Sequence, residues 1–136
     1  MVTAGPLSAI LEALIGRRVA LPPELLGRFP ELHGLRVRRG GAPPRVASWL
    51  LRPRGAAAVT LWNVVFLSRR TSIDAELLLH ELRHVHQFQG SPTFPVRYLW
   101  ESLRRGYHRN RFEVDAREFA RARLTVPQRD PRLGEP

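Results

Sequence analysis

The chain of 136 residues contains no cysteine, so neither a disulfide framework nor a cysteine-ligated zinc site is possible. No apolar run approaches the roughly 18 residues needed to span a membrane. The apolar stretch Leu7 to Ile15 has no basic segment before it and is followed by Arg17 and Arg18, which argues against a secretory signal. We therefore expect a cytoplasmic protein without a signal peptide, and any metal site must be built from histidine and carboxylates.

Lysine is also missing, because all 22 basic residues are arginine, and the formal net charge is +10. Such a charge would attract an acidic partner such as nucleic acid or anionic lipid. A coding bias that turns every lysine into arginine explains the composition as well, and the scatter of arginine along the whole chain favours that explanation. The excess would still give the surface a positive potential.

The length predicts a single domain, 1–136, with its core at about 57–120. In the first half, apolar spacing predicts helices over Pro6–Arg18 and Pro23–Phe29 and a strand at Leu35–Arg38. The stretch Val46–Leu51 is ambiguous between strand and helix, with a weak preference for strand. Ala57–Leu67 is rich in β-branched and aromatic residues and predicts the best strand of the chain.

Three further helices are predicted in the second half. The first runs over Ser72–Gln89, with Thr71 or Ser72 as its cap and Asp74 completing a capping box. It is apolar on both sides of its histidines, which indicates a helix at the centre of the domain. The others span Pro95–Arg105 and Arg109–Arg123, and the tail 125–136 is expected to be irregular.

The most informative motif of the chain is His80-Glu81-Leu82-Arg83-His84, which fits the pattern H-E-x-x-H. Four residues make slightly more than one helical turn, so the two imidazoles share a face, about 6 Å apart along the axis. Both rings can then reach one zinc ion at about 2.0–2.1 Å. Glu81 projects beside the metal, where it could accept a proton from water. Because catalytic zinc usually has three protein ligands, a third ligand is needed.

Glu113, in the last predicted helix, is the preferred third ligand. Ala116 and Ala120 fall on its face of the helix, and their small side chains would let this helix approach the histidine helix. The alternative is an exposed Glu113 that pairs with Arg109 or Arg117 at a spacing of four residues.

Two other histidines are possible ligands. His108 is the second choice, although it lies in a turn where a solvated side chain is expected. His86 lies two residues after His84, about 200° around the helix, and is expected to point away from the metal.

With this motif and Glu113, the chain resembles the gluzincin branch of zinc metallopeptidases, in which a glutamate ligand follows H-E-x-x-H on a later helix. It is most similar to the small single-domain bacterial members called minigluzincins and to related uncharacterised peptidase-like domains. The likeness covers about Ala57–Ala120 and rests on Thr60-Leu61-Trp62, His80-Glu81, His84-Val85-His86-Gln87, Tyr107 and Asn110–Ala116. It implies an α+β, zincin-like fold, with a small twisted sheet packed on a central H-E-x-x-H helix and further helices.

One position departs from the gluzincin pattern. Many gluzincins carry an acidic residue four after the glutamate ligand, which orients a zinc-bound histidine, whereas this chain has Arg117 there. Arginine cannot accept a hydrogen bond. Another acceptor, such as Asp74, Glu118 or a backbone carbonyl, would have to orient the ring.

These observations predict a zinc-dependent metallopeptidase that hydrolyses a peptide or protein substrate, with zinc on His80, His84 and Glu113. Glu81 would be the general base. If the resemblance holds, the Ala57–Leu67 strand would be the sheet edge that pairs with an extended substrate.

An oxyanion donor is also needed, and Tyr107 is preferred over Tyr98 and His108.

Two alternatives stay open. The first is a zinc-binding, peptidase-like domain without turnover, acting as a binding or regulatory module. The second is a basic nucleic-acid-binding domain that uses the arginines around Gly106, which we disfavour because no recognition signature accompanies them.

Overall fold

The computed structural model describes residues 5–44 and 57–127, and within them the fold is mixed α+β, as expected. The elements in chain order are α1 (Pro6–Ile15), β1 (Arg17–Arg18), α2 (Pro23–Arg28), a 3₁₀ helix (Pro30–Gly34), β2 (Arg36–Arg39), β3 (Ala58–Leu61), β4 (Val64–Leu67), α3 (Ala75–Gly90), α4 (Phe94–Arg105) and α5 (Arg111–Thr125). None of these helices is long and apolar enough to cross a membrane.

The four strands form one sheet in the order β1-β2-β4-β3. β1 pairs antiparallel with β2, β2 pairs parallel with β4, and β4 pairs antiparallel with β3. Val37 on β2 lies opposite Val65 on β4, and both are buried. β3 is therefore an edge strand, a position that leaves backbone hydrogen-bonding groups available on one side.

The prediction of one strand over Ala57–Leu67 is wrong, because the segment folds back as a hairpin between β3 and β4. The reversal occurs at Trp62 and Asn63, and Trp62 has a φ of +54°. A bulky residue seldom adopts positive φ, so Trp62 did not indicate a turn, and the one turn-favouring residue, Asn63, lies inside the apolar run. The turn lies inside a long apolar run whose two halves are both strands. The run therefore has the composition of one continuous strand.

The first helix ends earlier than predicted, at Ile15. Gly16 has a φ of +71°, and a Cβ there would lie 2.5 Å from the carbonyl oxygen of Arg39. Arg17 and Arg18 then join the sheet beside β2. The second helix ends at Arg28 and leads into the 3₁₀ helix, which the sequence did not indicate.

The cap of α3 differs from the prediction as well. The helix begins at Ala75, and Asp74 is its N-cap, accepting a hydrogen bond from the Leu77 amide at 2.8 Å. The hydroxyl of Thr71 instead donates to the carbonyl oxygen of Ala57 at 2.9 Å. Thr71 is therefore used to join the segment before α3 to the start of β3, and Asp74 takes over the capping role.

The hydrophobic core lies between the sheet and α3, as the apolar sequence of that helix predicts. Leu78, Leu79, Leu82 and Val85 of α3 are buried against sheet residues. The N-terminal half contributes too, through Phe29, Leu32, Leu35 and Val37. The core predicted for residues 57–120 is thus completed by apolar side chains from the 3₁₀ helix, its flanking residues and β2.

Helix α5 packs against α3 along a row of small residues. Ala116 and Ala120 are fully buried in this contact, which confirms that their size permits a close approach. α5 begins at Arg111, two residues later than predicted, and ends at Thr125. The predicted segment at Val46–Leu51 and the tail beyond residue 127 lie outside the described residues.

Asn110 connects α4 to α5 and is completely buried. Its side-chain oxygen caps α5 by accepting from the Phe112 amide at 2.9 Å. Its amide nitrogen donates to the Tyr98 carbonyl at 3.1 Å and to the Ser102 hydroxyl at 2.8 Å. One side chain thereby sets both the start of α5 and its position relative to α4.

We expect Asn110→Asp to lower the free energy of unfolding by about 1–3 kcal/mol. Aspartate can still cap α5, but it loses both donors and turns an oxygen towards the Tyr98 carbonyl. Urea denaturation measures the effect, and the matched control is Asn63→Asp at the exposed hairpin turn. Equal midpoints for the two variants would contradict the role given to Asn110.

Candidate metal centre

Three side chains converge between α3 and α5, and together they could hold a metal ion. His80 and His84 come from α3, and Glu113 comes from the first turn of α5. The two Nε2 atoms lie 3.1 Å apart. Nε2 of His80 is 3.0 Å from Oε2 of Glu113, and Nε2 of His84 is 3.1 Å from Oε1. The structure thus brings together the three ligands predicted from the sequence.

The separations of these atoms fit a tetrahedral zinc site. Two ligand atoms bound to one zinc ion at 2.0–2.1 Å lie about 3.3 Å apart at the tetrahedral angle. The three observed separations, from 3.0 to 3.1 Å, are close to that value. Two imidazoles and one carboxylate are also a donor set found in catalytic zinc sites.

The electrostatics of the cluster favour a cation. Burial alone would lower the pKa of His84, but the hydrogen bond to Glu113 and the charge of Glu81 outweigh it and raise this pKa to about 9. Burial would likewise raise the pKa of Glu113, and the hydrogen bonds with His80 and His84 hold it far below its usual range instead. The site therefore stabilises positive charge, whether a proton or a metal ion supplies it.

Gln87 orients His84. Nδ1 of His84 donates to Oε1 of Gln87 at 2.8 Å, which keeps the proton on Nδ1 and leaves the Nε2 lone pair for a metal. The Gln87 amide nitrogen donates to Oδ2 of Asp115 at 2.9 Å and to the Phe112 carbonyl at 3.0 Å. Arg83 in turn donates to both oxygens of Asp115, at 2.7 and 3.2 Å. Each member of this chain of contacts fixes the next one.

Gln87 supplies the hydrogen-bond acceptor that Arg117 cannot provide. The acceptor for the candidate ligand His84 comes from α3 itself, three residues later, so no acid is needed four residues after Glu113. Of the acceptors proposed from sequence, Asp74 caps α3 and Glu118 is exposed. Arg117 donates to the carbonyl oxygen of His108, away from the metal cluster.

The two tyrosines near the site both contact Glu113. The hydroxyl of Tyr98 donates to Oε1 at 2.6 Å, and the hydroxyl of Tyr107 donates to Oε2 at 2.8 Å. These bonds hold the carboxylate in one orientation between the two imidazoles. The hydroxyl of Tyr107, the preferred oxyanion donor, thus donates to the candidate ligand Glu113 in this structure.

The remaining histidines lie apart from the cluster. His108, the second choice as ligand, is exposed, as expected for a residue in the turn, and packs edge-on against the ring of Tyr107. His86 is exposed, contacts the ring of Phe119 on α5 and is not among the three converging side chains. The expectation that His86 points away is confirmed.

Glu81 lies next to the cluster and is held by the sheet. The hydroxyl of Thr60 on β3 donates to its Oε2 at 2.7 Å, and both residues are buried. The bond joins the edge strand to the helix that carries the histidines. It also keeps the carboxylate of Glu81 in a defined place beside His84.

A cavity of about 190 Å³ opens beside these groups. One wall is β3, from Ala58 to Leu61, and the opposite wall is formed by Phe88 and by α4 residues that include Phe94 and Leu99. Glu81, His84, Tyr107 and Glu113 line its polar end. The cavity is thus mostly apolar, with its titratable groups gathered at one place, as small-molecule and peptide sites commonly are.

The comparison with known families agrees with this geometry. The family described as the eCIS core domain matches residues 30–92. It is a metallopeptidase-like family, and the match covers slightly less than half of the chain. The matched residues include Thr60 and the whole H-E-x-x-H motif but end before Glu113. No curated protein and no solved structure matches the chain.

The sequence did not reveal the roles of three side chains at the site. Gln87 follows His84 by three residues, a spacing that places both on one helix face, and this was the one available signal. The contacts of Asp115 with Gln87 and of Thr60 with Glu81 join elements 28 and 21 residues apart in the chain. Such pairs become visible only once the helices and the sheet are packed.

We expect Gln87→Met to weaken zinc binding about 10- to 100-fold, because His84 loses the acceptor that fixes its ring. Titration against a chromogenic chelator measures the affinity. Gln89→Met, at an exposed position of the same helix, is the matched control and should bind zinc as the original chain does. Equal affinity of both variants would contradict the role of Gln87.

Zinc binding should also depend on pH. Because the pKa of His84 is raised to about 9, its proton must leave before the metal binds. Below that pH we expect the apparent affinity to fall about tenfold for each unit of acidification, with proton release on binding. Calorimetry in buffers of different ionisation enthalpy measures the protons released. Uptake without proton release at pH 7 would contradict the assignment.

Proposed function

We propose that the chain is a zinc-dependent metallopeptidase that hydrolyses peptide bonds. The single observation that carries the proposal is the meeting of His80, His84 and Glu113 at separations suited to one zinc ion, beside the buried carboxylate of Glu81. A structural metal site has no need for a second carboxylate that does not bind the metal, whereas hydrolysis needs a base.

When bound, zinc would supply Lewis-acid chemistry, lowering the pKa of a water molecule towards about 7 and polarising the scissile carbonyl. Glu81 would accept the proton of that water and later deliver it to the leaving amine. Thr60 would act as a positioning residue, because its hydroxyl holds Oε2 of Glu81. Gln87 would keep His84 in the tautomer that the metal requires.

The substrate in this proposal is an extended peptide. β3 is at the edge of the sheet and lines the cavity next to Glu81, so its backbone groups are available to pair with a peptide strand. Such pairing recognises the main chain and is compatible with many sequences. The apolar part of the cavity would accept a substrate side chain.

The resemblance to gluzincins supports the same reading. Their ligand set is two histidines of H-E-x-x-H and a glutamate on a later helix, and Glu113 of α5 occupies the corresponding place beside His80 and His84. The metallopeptidase-like family matched by residues 30–92 supports the same proposal through the H-E-x-x-H motif.

We expect Glu81→Gln to reduce peptide hydrolysis by about a hundred- to ten-thousand-fold while zinc affinity changes little. Glutamine can still accept the hydrogen bond from Thr60, but it cannot take a proton from water. The control is Glu76→Gln, an exposed substitution in the same helix. A fluorogenic peptide library and metal analysis measure the two effects, and undiminished hydrolysis by Glu81→Gln would remove Glu81 as the base.

A metal-binding domain without turnover is the second candidate. The observation that favours it is that Tyr98 and Tyr107, both candidates for stabilising an oxyanion, donate to Glu113 instead. In this version the metal would order the contact between α3 and α5 for binding a partner. Zinc-loaded protein that cleaves no member of a broad peptide library, yet gains thermal stability from zinc, would favour this candidate.

A further inference from the structure

Helix α4 has its apolar side chains turned outwards. Its inner face carries Phe94, Tyr98 and Glu101, of which Phe94 and Glu101 are buried. The opposite side, which we call the α4 outer face, consists of Val96, Leu99, Trp100 and Leu103. These four residues recur at intervals of three and four, so they form one continuous stripe.

The exposure of this stripe is unusual for large apolar residues. Val96 is 72% exposed, Trp100 is 62% exposed and Leu103 is 76% exposed. Leaving such a stripe in water is unfavourable, and contiguous exposed apolar surface commonly marks an interaction site. The core packing of α4 is complete without these residues, because Phe94 fills the contact with Phe88 and Phe112.

The charged residues around the stripe indicate what kind of surface binds it. Residues 94–112 contain a single acidic side chain, Glu101, which is buried and pairs with Arg105 and Arg111. The same segment contains five arginines, namely Arg97, Arg104, Arg105, Arg109 and Arg111. Arg97 and Arg104 both belong to α4, and helical periodicity places them along one side of the stripe. An apolar stripe flanked on one side by arginines, with the one acidic residue of the segment buried, is complementary to a surface that is apolar beneath a layer of anions.

We propose that the α4 outer face docks on the surface of an anionic lipid bilayer. The helix would lie parallel to the membrane, with Leu103 and Val96 entering the boundary between headgroups and acyl chains and Trp100 at headgroup depth. Arg97 and Arg104 would contact lipid phosphates. A helix of 12 residues suits this arrangement, since it is too short to cross a bilayer.

Helix α1 provides a comparison within the same molecule. It also exposes apolar side chains, with Leu7 75% exposed, but its one charged residue is Glu12. That carboxylate pairs with Arg17, just beyond the end of the helix. Within the helix itself α1 contains no arginine, whereas α4 contains three, so the charge argument favours α4 over α1. The two leucines, Leu7 and Leu103, are equally exposed and therefore form a matched pair of test positions.

Docking would bring the bilayer next to the cavity that Glu81 and His84 line. Leu99 belongs to the α4 outer face and also lines the cavity. A bound membrane would thus lie against the mouth of the cavity. Membrane binding itself needs no metal, so the proposal stands or falls separately from the peptidase assignment.

The test is flotation of the full chain with two kinds of vesicle, phosphatidylcholine alone and equal parts phosphatidylcholine and phosphatidylglycerol. We expect binding to the anionic vesicles only, weakening as salt is added. Leu103→Ser should reduce binding about tenfold. Arg97→Gln combined with Arg104→Gln should reduce it about 25-fold, at about fivefold for each charge.

The controls separate this face from the rest of the molecule. Leu7→Ser should leave vesicle binding unchanged, and so should a metal chelator added to the original chain, because docking needs no metal. All of the docking substitutions are at exposed positions, so circular dichroism should show an unaltered fold.

Several results would overturn the proposal. They are equal binding to neutral and anionic vesicles, no binding to either, or an equal loss in Leu7→Ser. A dimer in sedimentation that Leu103→Ser abolishes, without vesicle binding, would assign the face to a second copy of the chain. Retention by DNA that depends on the arginines but not on Leu103 would assign the arginines to nucleic acid.

Discussion

The burial of one carboxylate between two imidazoles is the interaction on which the rest of the structure depends. Glu113 is almost inaccessible to solvent, and a buried carboxylate is costly unless it is paired and hydrogen-bonded. Here it has four partners, since His80 and His84 approach from α3 while Tyr98 and Tyr107 donate from the other side. The contact between α3 and α5 is thus both a packing interface and a candidate metal centre.

The supporting contacts follow from that constraint. Ala116 and Ala120 permit the close approach, and Asn110 sets where α5 begins relative to α4. Asp115, two residues after Glu113, joins the same two helices a second time through Arg83 and Gln87. A change that moves α5 by a fraction of its diameter would therefore disturb the ligand set and its orienting contacts together.

Glu81 illustrates how the sheet takes part in the site. It comes from the same helix as the histidines, but its carboxylate is held by Thr60 on β3, the edge strand. The strand thus borders the cavity, positions the candidate base and offers its edge to a peptide. The same cavity is bordered by α4, whose outer side carries the exposed apolar stripe. One small fold therefore places a candidate catalytic group and a candidate docking surface on adjacent walls.

The sequence by itself determined the ligand types and the central helix, because H-E-x-x-H and the apolar residues around it depend only on helical periodicity. It also indicated Glu113, through the small residues that share its face. The hairpin at Trp62, the capping of α3 by Asp74, and the roles of Gln87 and Thr60 were decided by tertiary structure. The contact of Thr60 with Glu81 joins segments 21 residues apart, and the hairpin depends on sheet pairing. The Asp74 cap and the contact of Gln87 with His84 each span only three residues, but packing fixed them by assigning Thr71 to the Ala57 carbonyl and the Gln87 amide to Asp115.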